Sequence, residues 1–351
     1  MRTYFLRSLQ LSLILTLGLF GALIAQALGV PIPFLIGSLF TSAAVSLTYY
    51  ARTQNRLWFP LLLRKAFIAV IGIKIGSTFT SDVLAEAPSL LITLTAMVVF
   101  IALAQAINYA VFRHIGRYDK VTALYSAMPG GLIEAVSLGE KAGGDVEMLS
   151  VQHFVRVILV IIAVPALFLI FTGQSVGSAD GQIMQTVRSD WKDWAIIAIL
   201  VPIGIFLGQQ LRLPAAHLVG PLLLTAALQG TGAIDLHGPA ELLNIAQLIV
   251  GAGLGTMFAR STMRRLAAAM GLGMISVAIT LGLSAVFAAV LARWVAMPFG
   301  VLLISFAPGG VTEMSLVALS LGVSPVLVTA HHLFRIVFTV TVAGALSRQK
   351  H

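Results

Sequence analysis

The sequence predicts an all-α polytopic membrane protein built from two homologous repeats, and three observations carry that prediction. Apolar residues make up 58% of the 351-residue chain and charged residues 10%, with a mean hydropathy of +0.98; a soluble domain carries roughly 25% charged residues. Apolar stretches of about 20 residues, the length that crosses a bilayer core of about 30 Å, recur along nearly the whole chain. One unusual segment is also written twice, as AMPGGLIEA at 127–135 and as APGGVTEM at 307–314.

Six apolar segments are expected in each half. In the first they lie near 8–29, 31–49, 60–80, 88–112, 121–139 and 148–172. In the second they lie near 194–211, 214–230, 240–258, 268–292, 297–320 and 324–346. The first repeat thus covers 8–172, the second 194–346, with a polar linker at 173–193. The first segment imitates a secretory leader, with Arg2, Arg7, an apolar run and A-Q-A at 25–27. However, GALIAQALGVPIPFLIGSL (21–39) is matched by GIFLGQQLRLPAAHLVGPL (204–222), so it is predicted to be a working span.

The spacing between the halves is constant over long stretches. At an offset of 179, Gly72 meets Gly251, Gly76 meets Gly255, Phe79 meets Phe258 and Pro129 meets Pro308. Glu134 meets Glu313, His153 meets His332 and Arg156 meets Arg335 at the same offset. Nearer the start the offset becomes 183, pairing Pro31 with Pro214 and Gly37 with Gly220. A doubled P-G-G-x-x-E followed by a doubled H-x-x-R in the same order marks an internal repeat.

This duplicated pattern resembles the AbrB-type membrane proteins of Gram-negative bacteria, over essentially the whole chain. The resemblance implies a multi-pass protein of the bacterial cytoplasmic (inner) membrane. It further implies a distant likeness to cation/proton antiporter and anion transporter folds, whose broken helices cross at mid-membrane, and that likeness is one of fold.

The net charge of +9 arises mostly from basic residues flanking apolar spans, which is the pattern of topology signals. The bilayer is the expected partner, and nucleic acid is not. The absence of cysteine excludes disulfides, thiolate metal sites and cysteine nucleophiles, and no cofactor or metal is expected. With the N-terminus cytoplasmic and each PGG segment re-entrant, sixteen basic residues fall inside and three outside; with each PGG segment fully crossing, the counts are fourteen and five. The first arrangement, which makes the repeats inverted, fits the positive-inside rule better. Inverted repeats with interrupted helices are the recurring build of secondary transporters.

Proline removes a donor and glycine relaxes the chain, so Pro129-Gly130-Gly131 and Pro308-Gly309-Gly310 are predicted to end one helical piece and start another. Such a break persists in a membrane only when buried in protein or lining a wet cavity. Two roles are open to Glu134 and Glu313: capping the N-terminus of the second piece, or binding a coupling proton or cation. Two are likewise open to Arg156 and Arg335: a brace to the broken segment through a glutamate, or a bidentate clamp on an oxyanion. His153 and His332 share a helix face with these arginines, as proton carriers or packing residues.

Lys74 breaks the symmetry, since its partner is Gly253. A mid-span lysine needs a carboxylate or the interface, and Glu134 or Glu313 is the expected pair. The tally of two acids against three cations in the spans points to a small anionic solute. Gly72/Gly76 and Gly251/Gly255 read as close-packing faces, and Pro31 and Pro214 as openers of the second helix of each half.

The predicted function is an ion- or proton-coupled secondary transporter, not an enzyme, with a small molecule or ion as its substrate. A homodimer is compatible with the sequence. The alternatives are a membrane sensor or regulatory protein and an uncoupled channel using the same polar centre.

Overall fold

The computed structural model of the protein describes residues 2–80, 86–172, 191–236, 240–257 and 263–348. Most of the predicted linker, together with Phe258 and Arg260, lies outside them. Among the described residues the chain is all-helical, and seven helices are long and apolar enough to cross a membrane.

The first half supplies α1 (Arg2–Ala27), α2 (Pro33–Thr53), α3 (Leu61–Ser77), α4 (Ala87–Ala110, extended by a π turn at Val111–Ile115), α5 (Lys120–Ser126), α6 (Leu132–Lys141) and α7 (Val146–Thr172). The second half supplies α8 (Trp191–Gln210), α9 (Ala216–Gly230), α10 (Ala240–Gly255), α11 (Met263–Leu291), α12 (Phe299–Phe306), α13 (Val311–Ser320) and α14 (Pro325–Arg348). The expected fifth segment of each half is therefore two short helices, α5/α6 and α12/α13, separated by the residues around Pro-Gly-Gly.

The helix openers differ slightly from expectation. Helix α2 starts at Pro33 and α9 at Ala216, so Pro31 and Pro214 precede the helices rather than beginning them. The N-caps are Ile32 and Ala215, both with φ 47°. Left-handed backbone is uncommon for a residue with a Cβ; here the same unusual turn occurs 183 positions apart.

The chain forms two compact units, each drawn from both halves. The first contains Met1–Thr80, Pro165–Arg260 and Leu319–Pro325; the second contains Ser81–Val164, Ser261–Ala318 and Val326–His351. In the first unit, α3 packs along α9, and α10 packs along α2.

Glycine explains that closeness. A Cβ on Gly72 or Gly76 would overlap the carbonyl oxygen of Leu218 or Leu222, and one on Gly251 or Gly255 would overlap that of Leu35 or Leu39. The backbones touch because no side chain stands between them, which is how small residues bring membrane helices together. Gly204 and Gly208 face Gly220 in the same way, locking α8 to α9.

Candidate functional site

Twelve of the thirteen candidate residues belong to the second unit; Lys74 belongs to the first. The carboxylate acting on Lys74 is Asp193, near the start of α8. Asp193 thus gives Lys74 a carboxylate within its own unit.

Local chemistry sets the first break. Asp119 caps α5 by accepting from the backbone N–H of Val121 and Thr122, both at 2.9 Å. A side-chain hydrogen bond with Thr122, and after it these main-chain bonds, hold its carboxyl below the usual carboxylate range. Helix α5 ends at Ser126, so its last carbonyls lose their regular helical donors; the turn itself offers Tyr125 only the Met128 N–H, at 3.3 Å.

Helix α7 supplies the missing donors. His153 Nε2 donates to the Tyr125 carbonyl at 3.0 Å, Arg156 Nη1 to Met128 at 2.7 Å and Arg156 Nη2 to Gly130 at 3.2 Å. The second break is held identically by α14. His332 Nε2 donates to Ile304 at 3.0 Å, Arg335 Nη1 to Ala307 at 2.6 Å and Arg335 Nη2 to Gly309 at 2.5 Å. Every donor and every acceptor lies 179 positions from its counterpart.

The brace therefore runs from guanidinium to main-chain carbonyl, where the sequence suggested an Arg–Glu pair. A cation at the carbonyl end of a helix also opposes the negative pole there. Because both terminal nitrogens of each guanidinium are engaged, a bidentate clamp on a substrate is not their resting role.

The glutamates serve the opposite pole. Glu134 and Glu313 lie in the first turns of α6 and α13, three residues after Gly131 and Gly310. A Cβ on either glycine would overlap Oε2 of that glutamate. Each carboxylate is thus folded back over the start of its own helix, as the acid of a capping box is. A side chain at either glycine would push the carboxylate out of this position. Thr339 stands against Gly130, where an added Cβ would lie 3.0 Å from the threonine Cβ.

The two histidines differ in what they have left to bind. Arg335 Nη2 also lies 2.6 Å from His332 Nδ1. Arginine only donates, so Nδ1 accepts, Nε2 carries the proton given to Ile304, and both ring nitrogens are used. His153 keeps Nδ1 buried with no hydrogen-bond partner.

Arg156 Nε and Arg335 Nε are also buried without a partner, and so are the hydroxyls of Ser126 and Ser305. These serines, again 179 apart, lie on the very turns whose carbonyls His and Arg hold. Arg335 is 2% exposed, and its charge is within electrostatic reach of Arg156. The serines escaped the sequence reading because Ser is common in apolar helices. Extending the aligned motif three residues back from the proline, as S-x-x-P-G-G-x-x-E, exposes them. His331, which aligns with Gln152, also has a defined role: Nε2 bonds the Thr93 hydroxyl at 2.8 Å and Nδ1 the Leu327 carbonyl at 2.8 Å.

The family model described as "Transition state regulatory protein AbrB" matches residues 48–350, a range that contains both breaks and both braces. The chain belongs to the AbrB family. Among its relatives, the "Uncharacterized protein YhjN" of Bacillus subtilis (strain 168) is 23% identical over 94% of this chain and 90% of its own length. The "Putative regulator AbrB" of Escherichia coli (strain K12) is 22% identical over 96% of this chain and 94% of its own length. Membership of the AbrB family thus extends over both halves of the chain, and neither relative's name specifies a substrate.

Proposed function

We propose that this AbrB-family protein is a secondary transporter of a small anionic solute, coupled to protons through Glu134 and Glu313. In this reading it is no enzyme. It sits in the bacterial inner membrane with a cytoplasmic N-terminus, its repeats are inverted, and its PGG segments are re-entrant.

The observation that carries the reading is the matched set of unsatisfied groups in the second unit. Arg156 Nε, Arg335 Nε and the Ser126 and Ser305 hydroxyls are buried without partners. Buried polar groups are normally bonded, and guanidinium and hydroxyl donors beside two like charges suit an acceptor that is negative. An oxyanion or carboxylate satisfies all three demands.

The glutamates supply a coupling device. An ionised carboxylate folded over the start of α6 or α13 occupies the backbone donors that an anion would use. Protonation neutralises that competitor, so anion and proton bind together. The same competition keeps the empty site closed to anions when the carboxylates are charged.

Reconstituted liposomes loaded with a pH-sensitive dye test the reading. Succinate, phosphate and sulfate are added outside one at a time. The expected result is interior acidification with one of them, lost in Glu134→Gln/Glu313→Gln. Anion flux without proton movement would mean a channel. Anion binding without flux would favour a sensor, the role closer to the name of the Escherichia coli relative.

A further inference from the structure

In the second unit an apolar cavity with a volume of about 320 Å³ lies beside the first break. Its walls come from α4, α5 and α14, and include Ile101, Gln105, Tyr125, Met128, Phe338 and Thr339. It runs from the outside of the unit to the break itself. Leu124 and Val342 on its lining are 41% and 42% exposed, whereas Ile101, Met128 and Thr339 are buried. Its deep end is main chain already described: Tyr125 and Met128 carry the carbonyls held by His153 and Arg156.

The second break is furnished differently at the matching positions. Those 179 residues after Ile101 and Gln105 are Thr280 and Ser284. Thr280 Oγ1 receives a bond from Asn108 Nδ2 at 2.9 Å, and Ser284 Oγ donates to the Phe306 carbonyl at 3.0 Å. The rings of Phe100, Phe287 and Phe306 pack there with centroids 5.2 to 5.6 Å apart. The polar centre is thus doubled, whereas the positions matching the apolar wall of the first break carry hydrogen-bonded hydroxyls and packed rings at the second.

From this asymmetry we infer that the ligand is an organic monoanion with an apolar body, such as a medium-chain or aromatic carboxylate, rather than a symmetrical inorganic oxyanion. The inference rests on the anion reading given above. The carboxylate would meet the serine and arginine donors, and the apolar body would lie in the cavity against Ile101, Met128 and Phe338. The volume equals about ten water-sized groups, and mostly apolar lining with a few polar points is the usual make-up of such a pocket. Gln105 and Thr339 are the polar points.

The test measures binding of tritiated carboxylates to the full chain in lipid nanodiscs, with empty nanodiscs subtracted. Butyrate, hexanoate and octanoate are compared with octanol and sulfate, using wild type, Ala102→Phe and Ala343→Leu. Both variants fill the cavity from opposite walls, and their unliganded melting temperatures show that they fold. The expected result is affinity rising about three- to fourfold per added methylene, octanoate far above octanol, and a flattened series in both variants with butyrate binding retained.

Equal binding of all three carboxylates, or unchanged octanoate binding in the filled variants, overturns the inference while leaving the anion reading intact. Octanol binding as well as octanoate also overturns it, making the cavity a groove for a neutral lipid chain. Failure of every carboxylate and of sulfate to bind removes the anion reading and this inference with it.

Discussion

Helix α3 and the Pro129–Gly131 turn both bring main chain against other groups deep in the protein, and they do so by opposite means. At Gly72 and Gly76 the side chain is deleted, so that the backbone of α9 occupies its place. At the turn the helix itself is interrupted, and charges are supplied to both of its new ends: Arg156 to the carbonyls and Glu134 to the N-terminus. The first device makes a close joint of main chain against main chain. The second leaves partial charges, buried donors and a displaceable carboxylate, and so can recognise a ligand. The proposed site therefore lies where the helix is interrupted, in the second unit.

The largest effect that would sharpen this contrast is expected at Arg335. Arg335→Met removes two charge-assisted hydrogen bonds to buried carbonyls and should cost about 3 kcal/mol or more, read as a lower thermal midpoint in nanodiscs. Arg335→Lys should restore less than half of it, because a point charge cannot reach two carbonyls as a planar fork does.

Next comes Gly72→Ala, with a cost of about 1–3 kcal/mol from overpacking against Leu218 and unchanged anion binding per folded molecule. Lost anion binding in folded Gly72→Ala would break the division of labour.

Gly131→Ala and Gly310→Ala should each cost about 1 kcal/mol, since a methyl there displaces the glutamate. Their distinguishing readout is a weaker pH dependence of anion binding.

The smallest effect is at Asp119, where replacement by Ala should cost about 1 kcal/mol at neutral pH and by Asn less. The folded carboxyl is held below its usual value, so this contribution is present above the unfolded pKa. It is lost as pH falls through the folded one, and the wild type and Asp119→Ala melting curves should converge in acid.

Much of this was legible in the chain, for identifiable reasons. The spans announce themselves by apolar length, and the Pro-Gly-Gly segments separate short helices because proline and glycine act locally. Gly72, Gly76, Gly251 and Gly255 were readable as packing faces, since spacing by four on a helix is a contact rule. Arg156 and Arg335 were visible as important, but not their targets: carbonyls carry no residue identity, so a brace to main chain leaves no mark in the sequence. The influence of Asp193 on Lys74 was hidden for a related reason: the two lie more than a hundred residues apart, and only the fold brings them together. Ser126 and Ser305 were present in the repeat, but their importance shows in their lack of partners in the folded protein.

The most direct test of the central claim is the thermal midpoint of the nanodisc-embedded protein, titrated with octanoate, succinate, phosphate and sulfate at pH 5 and pH 8. The account predicts stabilisation by one class of anion, stronger at pH 5, and equal at both pH values in Glu134→Gln/Glu313→Gln. Absence of any anion-specific stabilisation in the wild type, with Arg156→Gln/Arg335→Gln merely unfolding, would contradict it and leave the buried charges as a brace alone.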